Sequence, residues 1–230
     1  MTDASATPST LGAAPAGAPA PVALAIPYKI AVLVYVFNDT GKLLLLHRRR
    51  PPNQDLYSPI GGKLEQHLGE SPHACALREI EEEIGVRLTL DDIRLLGIVS
   101  ERAFNGAAAP PPPSPVAANA QSAFPPQLSA HWLMFCFEVT RPLNFPAREM
   151  NEGRLEWIDP IIVPQLGIPK TDREVIWPLV AQHSRQLHPA PHNRHQEAVF
   201  CVHIDCTDAE NFVVTHEHPR RSPGWQIGGR

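Results

Sequence analysis

No apolar run in this chain is long enough to cross a bilayer. The longest, residues 30–37, falls well short of the ~20 residues a spanning helix needs. There is no cationic excess either: 20 Lys and Arg stand against 24 Asp and Glu, a net charge of −4. That excludes the broad positive field of a nonspecific nucleic-acid binder. The four cysteines (Cys75, Cys136, Cys201, Cys206) are scattered without a paired framework, which fits a reducing compartment better than a disulfide-stapled secreted domain. The N-terminus lacks the basic start and apolar stretch of a signal peptide. No internal repeat is present. The expectation is a soluble cytoplasmic protein, with neither a membrane nor a nucleic acid as partner.

What remains is a chain of 230 residues, 43% apolar, enough for one good domain. Residues 1–27 are rich in Ala and Pro and read as a disordered tail. Residues 28–188 carry the domain, and 189–230 form a C-terminal extension whose two short β-rich stretches, 200–205 and 212–215, are expected to pack on it. Within the domain, residues 30–37 and 42–47 flank Asn38-Asp39-Thr40-Gly41, which is turn chemistry, so a β-hairpin is expected. Further strands are expected at 93–99, 131–139 and 155–158. Residues 107–127 include four consecutive prolines, Pro110 to Pro113, and read as an extended or disordered surface insertion between two strands. Thr171 with Glu174 three residues later spells a capping box, so a second helix is expected over 173–183. Strands mixed with two helices fit an α+β sandwich.

The informative stretch is residues 61–86, GGKLEQHLGESPHACALREIEEEIGV. Ser71 before Pro72 is a helix start, since a proline in the first turn forgoes only an N–H that has no partner anyway. Gly85 is a helix stop, because a residue without Cβ turns left-handed cheaply. On the helix between them, Glu79, Glu82 and Glu83 are spaced i, i+3, i+4 and share an arc of about 100°. Leu77, Ile80 and Ile84 take the neighbouring face and dock on a core. Three carboxylates this close repel unless a cation lies among them, and a hard divalent ion, Mg²⁺ or Mn²⁺, takes oxygen ligands. Arg78 stands i, i+4 to Glu82 and can hold it. The alternative from these residues alone is a solvated acidic face.

The stretch resembles the Nudix box, G-x5-E-x7-R-E-U-x-E-E-x-G-U, with U a bulky aliphatic. Glu70, Arg78, Glu79, Ile80, Glu82, Glu83, Gly85 and Val86 fit it in register. One departure is clear: seven residues separate Gly62 from Glu70 where the pattern has five. The extra pair lies before the helix and leaves the phase of the glutamates intact. The resemblance implies a Nudix-like α/β/α sandwich with a mixed β-sheet. It implies Mg²⁺ or Mn²⁺ held by Glu79, Glu82 and Glu83, with Glu70 a supporting ligand or helix-capping anion. Glu79 would be the base, or share that task with a metal, and Arg78 would orient the carboxylates. Gly61, Gly62 and Lys63 would lie near the substrate diphosphate. Many family members send one more glutamate into the metal site from a loop; here Glu152 is the candidate, with Glu149 as competitor.

Arg48, Arg49 and Arg50 follow the second strand. Arg48 or Arg50 can pair with phosphate, and a solvated basic strand end is the alternative. Tyr57 and Phe104 are candidate base-stacking aromatics. Cys75 falls on the glutamate arc, where the family usually has alanine, and reads as a small buried thiol. The tail residues Cys201, His203, Cys206, His216 and His218 match no zinc spacing, and alternation over 200–206 reads as a strand.

The resemblance implies a hydrolase that cleaves a diphosphate linkage in a nucleoside diphosphate derivative. Candidate substrates are ADP-ribose or another nucleotide sugar, a nucleoside triphosphate, or a dinucleoside polyphosphate. The alternative is a Nudix-fold module that senses a nucleotide without turnover; such modules usually lose box glutamates, and this chain keeps them. The partner is then a small-molecule nucleotide. The oligomeric state, a homodimer included, is left open.

Overall fold

The computed structural model of the protein describes residues 27–50, 53–102, 131–188, 198–208 and 211–218. The Ala/Pro-rich tail, the Pro-rich insertion and Phe104 lie outside the described residues.

Ala31-Val32 and Val34-Tyr35 are buried as neighbours, and so β1 (Tyr28–Tyr35) serves two cores at once. Ala31 and Tyr35 face one, Val32 and Val34 the other. Strand β2 (Leu43–Arg48) does the same with four consecutive leucines, Leu43 and Leu45 on one side and Leu44 and Leu46 on the other. A strand apolar on both faces has to be covered on both. The covers are helix α1 (Pro72–Ile84) over one core and helix α2 (Trp177–His183) over the other.

Two sheets result. With β3 (Tyr57–Ser58), β4 (Ile93–Arg102), β5 (His131–Val139), β6 (Arg148–Glu149), β7 (Gly153–Ile158), β8 (Phe200–Asp205) and β9 (Val213–His218), the first sheet runs β1-β5-β4-β8-β9 and the second β3-β2-β7-β6. The first is mixed: β1 pairs β5 and β4 pairs β8 in parallel, while β4–β5 and β8–β9 are antiparallel. The second is antiparallel. This is the expected α+β sandwich. Among the described residues no helix is long and apolar enough to cross a membrane.

The expected hairpin is corrected. The turn forms, with Asn38 N–H on Lys42 O at 3.0 Å and Leu44 N–H on Val36 O at 2.8 Å. Beyond the single Phe37–Leu43 bridge, however, β1 and β2 part into different sheets. Each strand buries both faces, and one flat hairpin cannot offer both partners. The expected capping box is also corrected. Thr171 is already in helical conformation and makes no cap bond, and the turn over Asp172–Ile176 is π-wound before α2 begins. The signals around α1 hold. Ser71 accepts from Ala74 N–H, and Gly85 is left-handed at φ 68°.

Candidate active site

Helix α1 is fixed at both ends, which sets where its carboxylates point. Ser71 caps the start. At the finish Arg148 donates to Glu83 O at 2.7 Å, placing a cation on the carbonyl end of the helix dipole. Ile80, Ile84, Cys75 and Ala76 are fully or nearly fully buried against β1 and β5, so the opposite arc faces a cleft of about 640 Å³.

Glu79, Glu82 and Glu83 all line that cleft, with Gly61, Gly62, Lys63, Arg48 and Glu152. Gly61 sits at φ 142°, a conformation L side chains rarely adopt, and a Cβ there would meet Val32 O. At Gly62 a Cβ would meet the Glu79 carboxylate itself. The glycine pair therefore lets the loop lie directly on the helix carboxylates.

Arg78 is the centre of the cluster. Its Nε and Nη2 reach the two oxygens of Glu70 at 2.8 and 3.0 Å in a bidentate fork. Its Nη1 donates to Glu79 Oε1 at 2.8 Å and to Glu82 Oε2 at 3.1 Å. Nη2 also bonds Lys63 O at 3.2 Å, which ties the glycine loop to the helix. The Arg78–Glu82 pairing is the i, i+4 contact expected. The contacts to Glu79 and Glu70 are additional. Glu70 also accepts from Glu65 N–H at 2.8 Å and is not among the cleft-lining residues; here it clamps Arg78. Residues 66–68 in the lengthened loop form one 3₁₀ turn, ended by left-handed Gly69.

The electrostatics divide accordingly. Arg78 holds the Glu70 carboxyl down at about 2. Burial raises Glu79, against the pull of Arg78. Burial, then the neighbouring charge of Glu79, pushes Glu83 up to about 8. One Glu83 oxygen is buried with no hydrogen-bond partner. A buried carboxylate oxygen left unmatched is costly, and a hard cation is the partner its chemistry suits. Among the described residues no three His, Cys, Asp or Glu side chains already converge as a closed ligand cluster. The four carboxylates line a shared wall.

The remaining expected residues fall as follows. Glu152, in the turn between β6 and β7, reaches the cleft and pairs with Arg48 at 3.6 Å. Its competitor Glu149 bonds Arg49 at 2.5 Å, away from the cleft. Arg50 is exposed beyond the end of β2 and does not line the cleft. Tyr57 stacks on His47 and donates to Glu156 at 3.3 Å, and is not a cleft residue. Cys75 is buried and free, as expected. Two acidic cleft residues were not anticipated: Glu101 at the end of β4 and Asp172 at the start of the second helical segment. They come from elements far apart in sequence and carry no local signature.

Residues 27–177 match the NUDIX domain family, so this chain is a Nudix protein. It is similar to the RNA pyrophosphohydrolase of Gluconobacter oxydans (strain 621H), 39% identical over 64 residues, which are 28% of this chain and 36% of that protein. It is also similar to the dihydroneopterin triphosphate diphosphatase of Escherichia coli (strain K12), 31% identical over 70 residues, 30% of this chain and 43% of that one. The chain thus spans less than half the length of these curated relatives. Its fold resembles a MutT protein from Bacillus halodurans, with a TM-score of 0.55 at 20% identity, covering 82% of this chain and 97% of that one. A MutT protein from Methanosarcina mazei Go1 aligns at a TM-score of 0.50 and 19% identity, covering 68% and 96%.

Proposed function

We propose that the chain is a divalent-metal-dependent pyrophosphohydrolase that splits a diphosphate linkage in a nucleoside diphosphate derivative. The substrate class is ADP-ribose or another nucleotide sugar, or a nucleoside triphosphate. The observation that carries this reading is the Glu83 carboxylate, which lines the cleft beside Glu79 with one buried oxygen unmatched. The names of the two relatives, both for enzymes that cleave phosphate anhydrides, support it over short stretches.

Glu79, Glu82, Glu83 and Glu152 would hold Mg²⁺ or Mn²⁺. When bound, the ion supplies Lewis-acid polarisation of phosphoryl oxygens and neutralises charge on the leaving phosphate. The chain's own groups do the rest. Arg78 holds Glu79 and Glu82 in fixed directions from below the cleft floor. The Gly61–Gly62 backbone allows close approach of phosphate, and Lys63 and Arg48 add positive charge along the same wall. Glu79, raised by burial, accepts a proton from the attacking water. The water oxygen bonds to phosphorus, the bridging P–O bond breaks, and the second phosphate leaves. Incubating the purified protein with nucleoside triphosphates and nucleoside diphosphate sugars, with Mg²⁺ and with Mn²⁺, and weighing both products should show anhydride cleavage. No turnover of any of them would sink the reading.

A further inference from the structure

The carboxylates that would hold the metal come from two pieces of chain. Glu79, Glu82 and Glu83 ride on α1, and Glu152 rides on the turn between β6 and β7. The two pieces are fixed in different ways. Packing holds Glu79, whose side chain is 12% exposed, whereas that of Glu152 is 53% exposed. The place of the Glu152 carboxylate is therefore set by the backbone of its turn. The charge of Glu152 is felt at both Glu79 and Glu83. Like charges this near push the turn away from the helix whenever no cation lies between them.

One contact opposes that push. Arg148, at the start of β6, donates to Glu83 O at 2.7 Å. That oxygen is among the last carbonyls of α1, which have no partner within the helix. The bond thus joins the backbone of one carboxylate-bearing residue to the hairpin that carries another. The route from Arg148 to Glu152 is short and stiff. Arg148 pairs with Leu155 and Glu149 with Arg154, and Met150 N–H closes the turn on Gly153 O at 2.7 Å. A Cβ at Gly153 would meet His47 O, so the turn lies directly on β2. On that side Arg49 N–H holds Glu152 O at 2.8 Å. The guanidinium is propped as well. Its carbon stands 6.0 Å from the centre of the Phe145 ring, and Phe145 O accepts from the Trp157 indole N–H at 2.8 Å.

We propose that Arg148 is a positioning residue for the metal: its bond to the Glu83 carbonyl holds the Glu152 turn against the end of α1, at the separation one divalent ion can span. Arg148 does not line the cleft, so it touches neither metal nor substrate and acts through Glu83 and Glu152. The repulsion between the two carboxylates is carried by this clamp before the ion arrives. The ion then meets ligands already gathered, and its binding does not have to draw the turn in. This rests on the cleft carboxylates being the metal site.

The test is a double-mutant cycle on full-length protein, read as Mn²⁺ affinity by titration calorimetry in the absence of nucleotide. Arg148→Met should weaken Mn²⁺ binding roughly tenfold, as loss of a group that orients a metal ligand does. In a Glu152→Gln background the same change should cost about threefold or less, because the ligand it places is gone. Arg148→Lys, which keeps one donor, should recover part of the loss. Thermal melts without metal identify any variant that fails to fold, and if Arg148→Met does, Arg148→Lys completes the cycle. A clamp that merely stabilised the fold would lower Mn²⁺ affinity equally in both backgrounds. That additive result, or an Arg148→Met protein that binds Mn²⁺ as tightly as the wild type, would overturn the proposal and leave the hydrolase reading standing. The expected coupling without turnover of any phosphate anhydride would overturn only the hydrolase reading.

Discussion

The two acidic walls of the cleft solve one problem in two ways. On the α1 wall, carboxylates converge on Arg78, which reaches Glu70, Glu79 and Glu82. On the α2 wall, Glu101 accepts from the Cys206 thiol, and burial raises both Glu101 and Asp172. The bidentate guanidinium holds Glu70 ionised at any ordinary pH, whereas a carboxyl raised by burial loses its proton only as the pH rises. Glu70, behind the first wall, thus carries permanent charge, while Glu83 on the first wall and Asp172 on the second carry charge that depends on pH.

The comparison breaks most sharply at the glutamates. Glu79→Gln, Glu82→Gln and Glu83→Gln keep size and helix but remove the charge a hard cation requires. Each should fold normally and lose activity by roughly 10²–10⁴-fold, as when a general base is removed or a metal misplaced. Initial rates at saturating Mg²⁺ check this, and a variant with near-parental rates would move its residue out of the site.

Next in size is Arg78→Met. It strands Glu70 and Glu79, whose side chains are only 10% and 12% exposed. Removing one partner of such a buried cluster should cost about 3 kcal/mol. Chemical denaturation at pH 7 measures it, and a loss below ~1 kcal/mol would show that the cluster reorganises freely.

The pH dependence of stability should differ in sign between Glu70 and Asp172. Glu70 is held at about 2, below its ordinary value. Its contribution is complete above the ordinary carboxyl range and is lost as pH falls toward 2. Asp172 is raised to about 7, so the folded protein keeps a proton that the unfolded chain releases. Its effect is to lower stability as pH rises from about 4 to 7. Asp172→Asn should therefore raise the melting temperature at pH 8 by a few degrees and change it little at pH 4. Glu70→Gln should lower it at pH 7, and the loss should vanish near pH 2. Melting curves with a chelator present test both signs.

The smallest effect should come from Glu81→Gln. Glu81 shares the helix with the glutamates but points outward to Arg87, at 2.5 Å, in a pair exposed on both sides. Turnover should stay within a few-fold of the parent, and the melting temperature should be nearly unchanged. Damage comparable to Glu82→Gln would mean that the helix faces are wrongly assigned.

Helix α1 was legible because its signals are local: a Ser-Pro start, a glycine stop and one spacing of carboxylates. The fork from Arg78 to Glu70 depends on how the loop before the helix folds back, and sequence spacing does not carry that. Adjacent residues on a helix do not normally face each other, so Arg78 on Glu79 was hidden too. Strand positions were legible from β-rich runs, but strand partners were not. The parting of β1 and β2 is settled by what covers each face, a tertiary matter. Glu101 and Asp172 were missed for the same reason, since only the packing of α2 on β4 brings them to one wall.

The two parallel pairings bear on how the chain reaches this fold. Strand β1 meets β5, and β4 meets β8, across roughly a hundred positions of chain each. Neither contact can form until a long loop has closed, and closure entropy is spent before any ladder bond returns it. The antiparallel β4–β5 pair sits at the centre of the sheet with the shorter separation. Folding should therefore begin there and add strands outward, slowly, with β8 and β9 docking late. Cys206, which follows β8, would then reach Glu101 only after β4 and β5 have paired. A nascent molecule would possess the centre of its first sheet before its C-terminal edge is in place.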